Sequence, residues 1–236
     1  MLVFRVFIEI LNFMKLLAFD TSTIACSIGL SIDGKITLRH EIAPMKQAKI
    51  ILPLLNQLLE SENISINQLD AIAFGCGPGS FTGVRIAVSV AQGLAYAAQK
   101  PLISISSLAA MAQAAYQDLG WTKLITAVDA RMNEVYWAPY EIQRDNLVVL
   151  AGKEQVSRPE EIIISDSTWS GIGNAWDVYQ SKIPVKPTSI DIHRLPTASA
   201  ILLLAETKFK SDEFVSLSEA LPVYLRDDVA KKSNVV

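Results

Sequence analysis

Residues 14–43 read MKLLAFDTSTIACSIGLSIDGKITLRHEIA, and this stretch decides the fold. LLAFDTST, CSIGLSID and KITLRHEIA are three strand-like runs, broken at residues 21–25 and at the Asp33-Gly34 pair. An Asp-Gly pair between apolar runs is a hairpin signal. The stretch therefore predicts a three-stranded meander whose first strand ends on Asp20.

Working outward, Ile50, Ile51, Leu54, Leu55, Leu58 and Leu59 recur at helical spacing and predict a helix over 46–60. Pro53 falls inside it, so the helix is expected to kink or to begin there. AIAFG is a short buried strand, GPGSFTG a turn, 82–98 a long helix, PLISI a strand and 106–119 a helix. The pattern then restarts. KLITAVDA, EVYWAPYEI and NLVVLA read as strands, with Arg144-Asp145-Asn146 as a turn. A short helix over 158–164, a strand at TWSGIG and a helix over 197–210 follow, and the tail docks through Pro222, Tyr224 and Leu225. Three strands, helix, strand, helix, strand, helix is the order of a ribonuclease H-like unit. A second, less regular copy makes the chain α/β, with an actin-like (ASKHA) architecture of two tandem ribonuclease H-like domains. The expected division is an extension over 1–13, a first domain over 14–118 and a second over 119–236.

Composition narrows the function. Half of the 236 residues are apolar and 19% are charged, which excludes intrinsic disorder. A net charge of −3 gives no broad positive field for direct nucleic-acid binding. Cys26 and Cys76 lie far apart, which excludes a disulfide framework and a CxxC zinc site; a reducing, cytoplasmic setting is expected. His40 and His193 are the two histidines, too separated for a local metal pair. The leader MLVFRVFIEILNF would span about 20 Å as a helix, short of a bilayer core. It reads as an extension upstream of a natural start at Met14, with an extra edge strand or helical turn as the alternative. No membrane segment is expected elsewhere.

GCGPGSFTGVRIAVSVAQGLAYAAQK, residues 75–100, carries most of the functional signal. Gly77, Gly79 and Gly83 suit a tight turn, and Ser80 or Thr82 can cap the following helix. The segment is not a P-loop, since it has no GK[ST]. Between Asp70 and Lys100 the one charge is Arg85. An ordinary surface helix has a polar stripe; this one almost lacks it. Gly83, Ala87, Ala91 and Ala95 form a small-residue row, while Ile86, Val90, Leu94 and Ala97 fall on another face. Two apolar faces point either to a helix enclosed by its own domain or to one covered by a second chain. The expected partner interface is Ile51, Leu54, Leu55 and Leu58 on the first helix, with Ser80, Phe81, Val84, Arg85, Ala87, Val88, Ala91 and Ala95 on the second.

Asp20 and Asp129 end the opening strands of the two halves, where ligands sit in open α/β sheets. With Thr21, Ser22, Gly77 and Gly79 they form a candidate nucleotide loop. The alternative is that each Asp closes a turn through its own side chain. Ser80 lies outside any GxSxG elbow and has no histidine beside it, so no nucleophile–base pair supports a peptidase.

FGCGPGSFTGVRIAVSVAQGLAYA, AVDARMNEVYWAPY and the later PVYLRDDVA together resemble the TsaB (YeaZ) family from Met14 to about residue 232. The resemblance implies an actin-like fold and a role in making N6-threonylcarbamoyladenosine at position 37 of tRNAs that read ANN codons. It implies a non-catalytic partner of the paralogue TsaD, with the ATPase TsaE as a further partner. TsaD carries two histidines at i, i+4 after its corresponding strand; Ser107 and Met111 stand there in this chain, and neither replaces an imidazole ligand. The resulting expectation is an accessory subunit with no catalytic or metal residues and no required cofactor, nucleotide binding being weak or confined to an interface. It pairs with TsaD through the first-half helices, forms a homodimer in isolation and meets tRNA only through the complex. A free-standing actin-like kinase using Asp20 and Asp129 is the competing expectation.

Overall fold

The computed structural model describes residues 14–143, 145–164 and 168–226. The readings made for 1–13, for Arg144 and for the end of the tail lie outside the described residues.

The meander forms as its turn signals predict. β1 (Lys15–Asp20), β2 (Ala25–Ile32) and β3 (Lys35–Ile42) pair antiparallel, with Phe19 opposite Ile28. β4 (Ala71–Gly75) joins β1 in parallel, and β5 (Leu102–Ile105) joins β4. The order is β3-β2-β1-β4-β5. α1 (Gln47–Ser61) and α2 (Phe81–Ala98) cover one face, and α3 (Ser107–Leu119) leads to the second half.

The second sheet repeats the plan. β6 (Lys123–Arg131) and β7 (Glu134–Ile142) are antiparallel, and β8 (Val148–Leu150) and β9 (Gln155–Ser157) both pair with β7. β10 (Ser170–Ile172) runs parallel to β6 and, past the short α4 (Ala175–Val178), β11 (Ile190–Asp191) runs parallel to β10. Each half is thus a meander extended by two parallel strands. That is the ribonuclease H-like plan twice over, and the tandem is actin-like.

β1 shows why this sheet needs cover on both sides. Leu17 and Phe19 point into the core beneath α1 and α2, while Leu16 and Ala18 point into the opposite core. All four are fully buried, and each Leu or Phe contributes roughly 1.5–3 kcal/mol of transfer free energy. The second cover is α5 (Ala198–Lys210), whose Ala200, Ile201, Leu202 and Ala205 pack on that face. The division expected at 118/119 therefore separates the two sheets but not the two cores. The chain returns to its first half after completing the second.

The tail continues the return. Val215 bridges Leu102, Ala220 is fully buried beneath α2, and the Val223 amide donates to the Cys76 carbonyl at 2.8 Å. Arg226 then donates to the Ala130 carbonyl and the Glu134 carboxylate, so the strap ends on the second half. A second tie joins the halves at Ser106, the cap of α3, and Tyr140; both hydroxyls donate to Glu154. Burial first, and Glu154 second, hold the Tyr140 hydroxyl protonated, which suits it as that donor.

Two expected elements differ. α1 begins at Gln47 and runs through Pro53, which sits on the exposed side; proline has no N–H to give the carbonyl of Lys49, itself an exposed residue. The helix expected over 158–164 is a single tight turn at Pro159–Glu161, cut short by the β-branched run Ile162 to Ile164. Among the described residues, no helix is long and apolar enough to cross a membrane.

Candidate functional site: the outer face of the α1–α2 pair

The structure gathers Asp20, Thr21, Ser22, Gly77 and Gly79 into one place and then closes it. Asp20 Oδ1 accepts from the Ser22 amide at 2.7 Å and the Ser22 hydroxyl at 2.8 Å; Oδ2 accepts from the Ser107 hydroxyl at 2.9 Å. Asp20 is only 1% exposed. Burial raises its carboxyl above the usual carboxylate range, and the bonds from Ser22 and Ser107 pull partly the other way. Thr21 Oγ1 donates to the Gly83 carbonyl at 2.6 Å, and the Ser80 amide donates to the Ser22 carbonyl at 2.7 Å. A Cβ at Gly83 would run into the Thr21 carbonyl, and one at Gly79 would lie 2.6 Å from the Ser22 carbonyl oxygen. Gly77, at φ +95, makes the turn that no β-carbon favours.

These groups are spent on each other. The expected nucleotide loop is, in its first half, a buried latch between the end of β1 and the start of α2. Asp129 is engaged in the same way. Its Oδ1 accepts from the Tyr179 hydroxyl at 2.9 Å and the Arg131 amide at 2.8 Å, and Arg131 Nη1 lies 3.1 Å from Oδ2. Both carboxylates close turns through their own side chains. Among the described residues, no group of three His, Cys, Asp or Glu is placed to hold a metal ion.

The expected interface needs correcting. Ile51, Leu54, Leu55 and Leu58 of α1, and Val84, Ala87, Val88, Ala91 and Ala95 of α2, are all buried within this chain. They belong to one core with Phe19, Ile28 and Phe74. The small-residue row lets α2 lie close on its own sheet, with Gly83 against the Thr21 backbone; it is not offered to another molecule. Of the twelve expected residues, Ser80, Phe81 and Arg85 are exposed.

The outward side of the pair is a shallow groove of about 440 Å³. Ala48 and Leu52 line it from α1, and Ile86, Ser89 and Val90 from α2, with Phe81 and Arg85 at one end. Leu52 is 52% exposed and Phe81 53%. Ile42 and Met45, which precede α1 in the chain, are also exposed, the latter 98%. The sequence did hold the signal for this face, in the second apolar stripe through Ile86 and Val90.

Arg85 is held rather than free. Its guanidinium carbon sits 3.5 Å above the Phe81 ring, and its Nε donates to the Tyr224 hydroxyl at 2.8 Å. Tyr224 is brought there by the strap. Gln92 of α2 secures that strap by donating to the Leu217 and Ala220 carbonyls, both at 3.0 Å.

Residues 40–233 match the family model described as TsaD: tRNA N6-adenosine threonylcarbamoyltransferase. The tRNA threonylcarbamoyladenosine biosynthesis protein TsaB of Escherichia coli (strain K12) is 38% identical over 232 residues, covering 93% of this chain and 97% of that one. This chain belongs to the TsaB (YeaZ) family. The Haemophilus influenzae TsaB is 39% identical over 230 residues, with 93% and 96% covered. YeaZ from Pseudomonas aeruginosa superposes with a TM-score of 0.87 at 42% identity, over 90% of this chain and all of that one. In this TsaB-family chain, Ser107 and Met111 serve packing. Ser107 bonds Asp20, and the Met111 methyl lies 3.1 Å from where a Gly173 Cβ would stand.

Proposed function

We propose that this chain is the accessory subunit of a tRNA threonylcarbamoyladenosine machinery. It presents the outer α1–α2 face to a TsaD-type protein, which carries out threonylcarbamoyl transfer to N6 of adenosine 37 in ANN-decoding tRNAs. A TsaE-type ATPase is the further partner, and tRNA is met through the complex. In isolation the same face pairs with a second copy. One observation carries this reading: a mainly apolar groove, with Arg85 as its single charge, is left open on a chain whose own strand-end aspartates are consumed by internal hydrogen bonds. Burying such a groove gives the association its driving force. A free-standing kinase needs a carboxylate facing the crevice, and Asp20 is sealed in the core.

The test is reconstitution of the modification on an ANN-decoding tRNA, read as the mass of nucleoside 37. The chain with ATP alone is expected to turn over no ATP and to modify nothing. Modification is expected to need the TsaD-type protein and to rise when this chain is added. Equal modification without it, or modification by this chain alone, would sink the reading.

A further inference from the structure

The groove has one charged side chain in its lining, Arg85, and among the described residues that charge meets no carboxylate. Its Nε donates to the Tyr224 hydroxyl. The sequence around it withholds acids: there is no Asp or Glu between Glu41 and Glu60, nor between Asp70 and Asp118. Lys46 and Lys49 add positive charge at the start of α1. The N-termini of α1 and α2 both lie at this end and contribute further partial positive charge. A chain with net charge −3 thus places its docking groove in a locally cationic field.

We propose that Arg85 reads one carboxylate on the partner segment laid into this groove, and that it thereby favours an acidic heterologous partner over a second copy of this chain. The proposal rests on the docking function above. Stacking on Phe81 and the bond to Tyr224 restrain the guanidinium before the partner arrives, so less side-chain entropy is lost on pairing. Docking removes water from Arg85 among Phe81, Ile86 and Leu52. A partner without an anion there leaves a desolvated cation, which is strongly unfavourable. A second copy brings its own Arg85, Lys46 and Lys49 to the contact, so self-pairing adds like charge to like. Tyr224 is a positioning residue that acts through Arg85.

The experiment measures affinity for the same organism's TsaD-type protein by calorimetry, from about 50 to about 500 mM NaCl, a range over which exposed charge pairs are increasingly screened. Wild-type affinity is expected to fall with salt, while the homodimer holds or tightens. Arg85→Met is expected to bind roughly 10- to 100-fold more weakly and to lose most of the salt dependence. Arg85→Lys keeps the salt dependence but loses part of the affinity. Arg85→Glu is weaker again and is rescued by changing one partner Asp or Glu to Lys, found by scanning its acidic residues singly. Tyr224→Phe weakens wild type but adds nothing in the Arg85→Met background, an outcome that a merely structural role does not give. Leu52→Asp is the control for the docking face itself. Loss of pairing in Leu52→Asp with unchanged affinity and salt slope in Arg85→Met overturns this proposal and leaves the docking function standing. Normal pairing in Leu52→Asp overturns both. A weakened Arg85→Glu that no single reversal rescues refutes the single carboxylate.

Discussion

The two sides of α2 differ in what their apolar residues are for. The inward side carries a small-residue row, Gly83, Ala87, Ala91 and Ala95, that allows close approach to the sheet; with Val84 and Val88 beside it, that side is buried. The outward side is larger and open, with Phe81, Ile86 and Val90 around Arg85. Hydrophobicity alone does not separate them. What the rest of the chain covers does: Val84 and Val88 are buried against the sheet, while Val90 lines the open groove. Mutations on the two sides should therefore have opposite profiles, folding failing on one and association on the other.

The largest effect is expected from Ala87→Asp. It places an unpaired carboxylate in a fully buried site and should cost about 4 kcal/mol or more, read as loss of a cooperative melt. A folded Ala87→Asp protein that merely fails to pair would reverse the assignment of the two sides. Next comes the latch at the inner end of the helix. Asp20→Ala strands the Ser22 amide and two hydroxyls and should cost about 1–3 kcal/mol in urea unfolding. Asp20→Asn keeps an acceptor for Ser22 and offers a donor to Ser107, so it should fold at least as well at neutral pH.

The pH dependence of that latch has a definite sign. With the folded carboxyl raised above its unfolded value, the native state holds the proton more tightly. Its contribution is fully present below the unfolded value and declines as pH rises through the folded one. Wild type should therefore lose stability relative to Asp20→Asn as pH increases over that window, and paired urea titrations at several pH values measure it. A difference that grows on acidification instead would mean that Asp20 is a stabilising anion. The smallest effect on folding is expected outside, where Leu52→Asp should shift unfolding by no more than about 0.5 kcal/mol while abolishing pairing in gel filtration with the TsaD-type protein.

Much of the fold was legible because local signals agreed with the tertiary outcome. The Asp33-Gly34 hairpin, the GPG turn before α2 and the caps Ser80, Ser106 and Thr197 all stand where turn and cap chemistry puts them. α2 could be seen to have two apolar faces, but which one was free depends on what the rest of the chain covers. Part of that cover is Ala220, more than a hundred residues away. The same distance hid the role of Tyr224, whose hydroxyl meets Arg85 only after the chain has built a second sheet and come back. Asp20 was legible as a strand-end carboxylate; its sealing depends on Gly75, where a β-carbon would run into Oδ2, and on the Ser107 hydroxyl, contacts that periodicity does not encode.

The late return of α5 has a consequence during synthesis. Leu16, Ala18, Ala73, Ile103 and Ile105 form one apolar sheet face; Ala110 and Ala114 of α3 join that core, and the rest of its cover begins only at Ala198. The ~90 residues between Ile105 and Ala198 take roughly 5–20 s to translate. For those seconds the nascent first sheet lacks most of its cover on one side, and a chain cut short within the second half would leave that apolar face open to water.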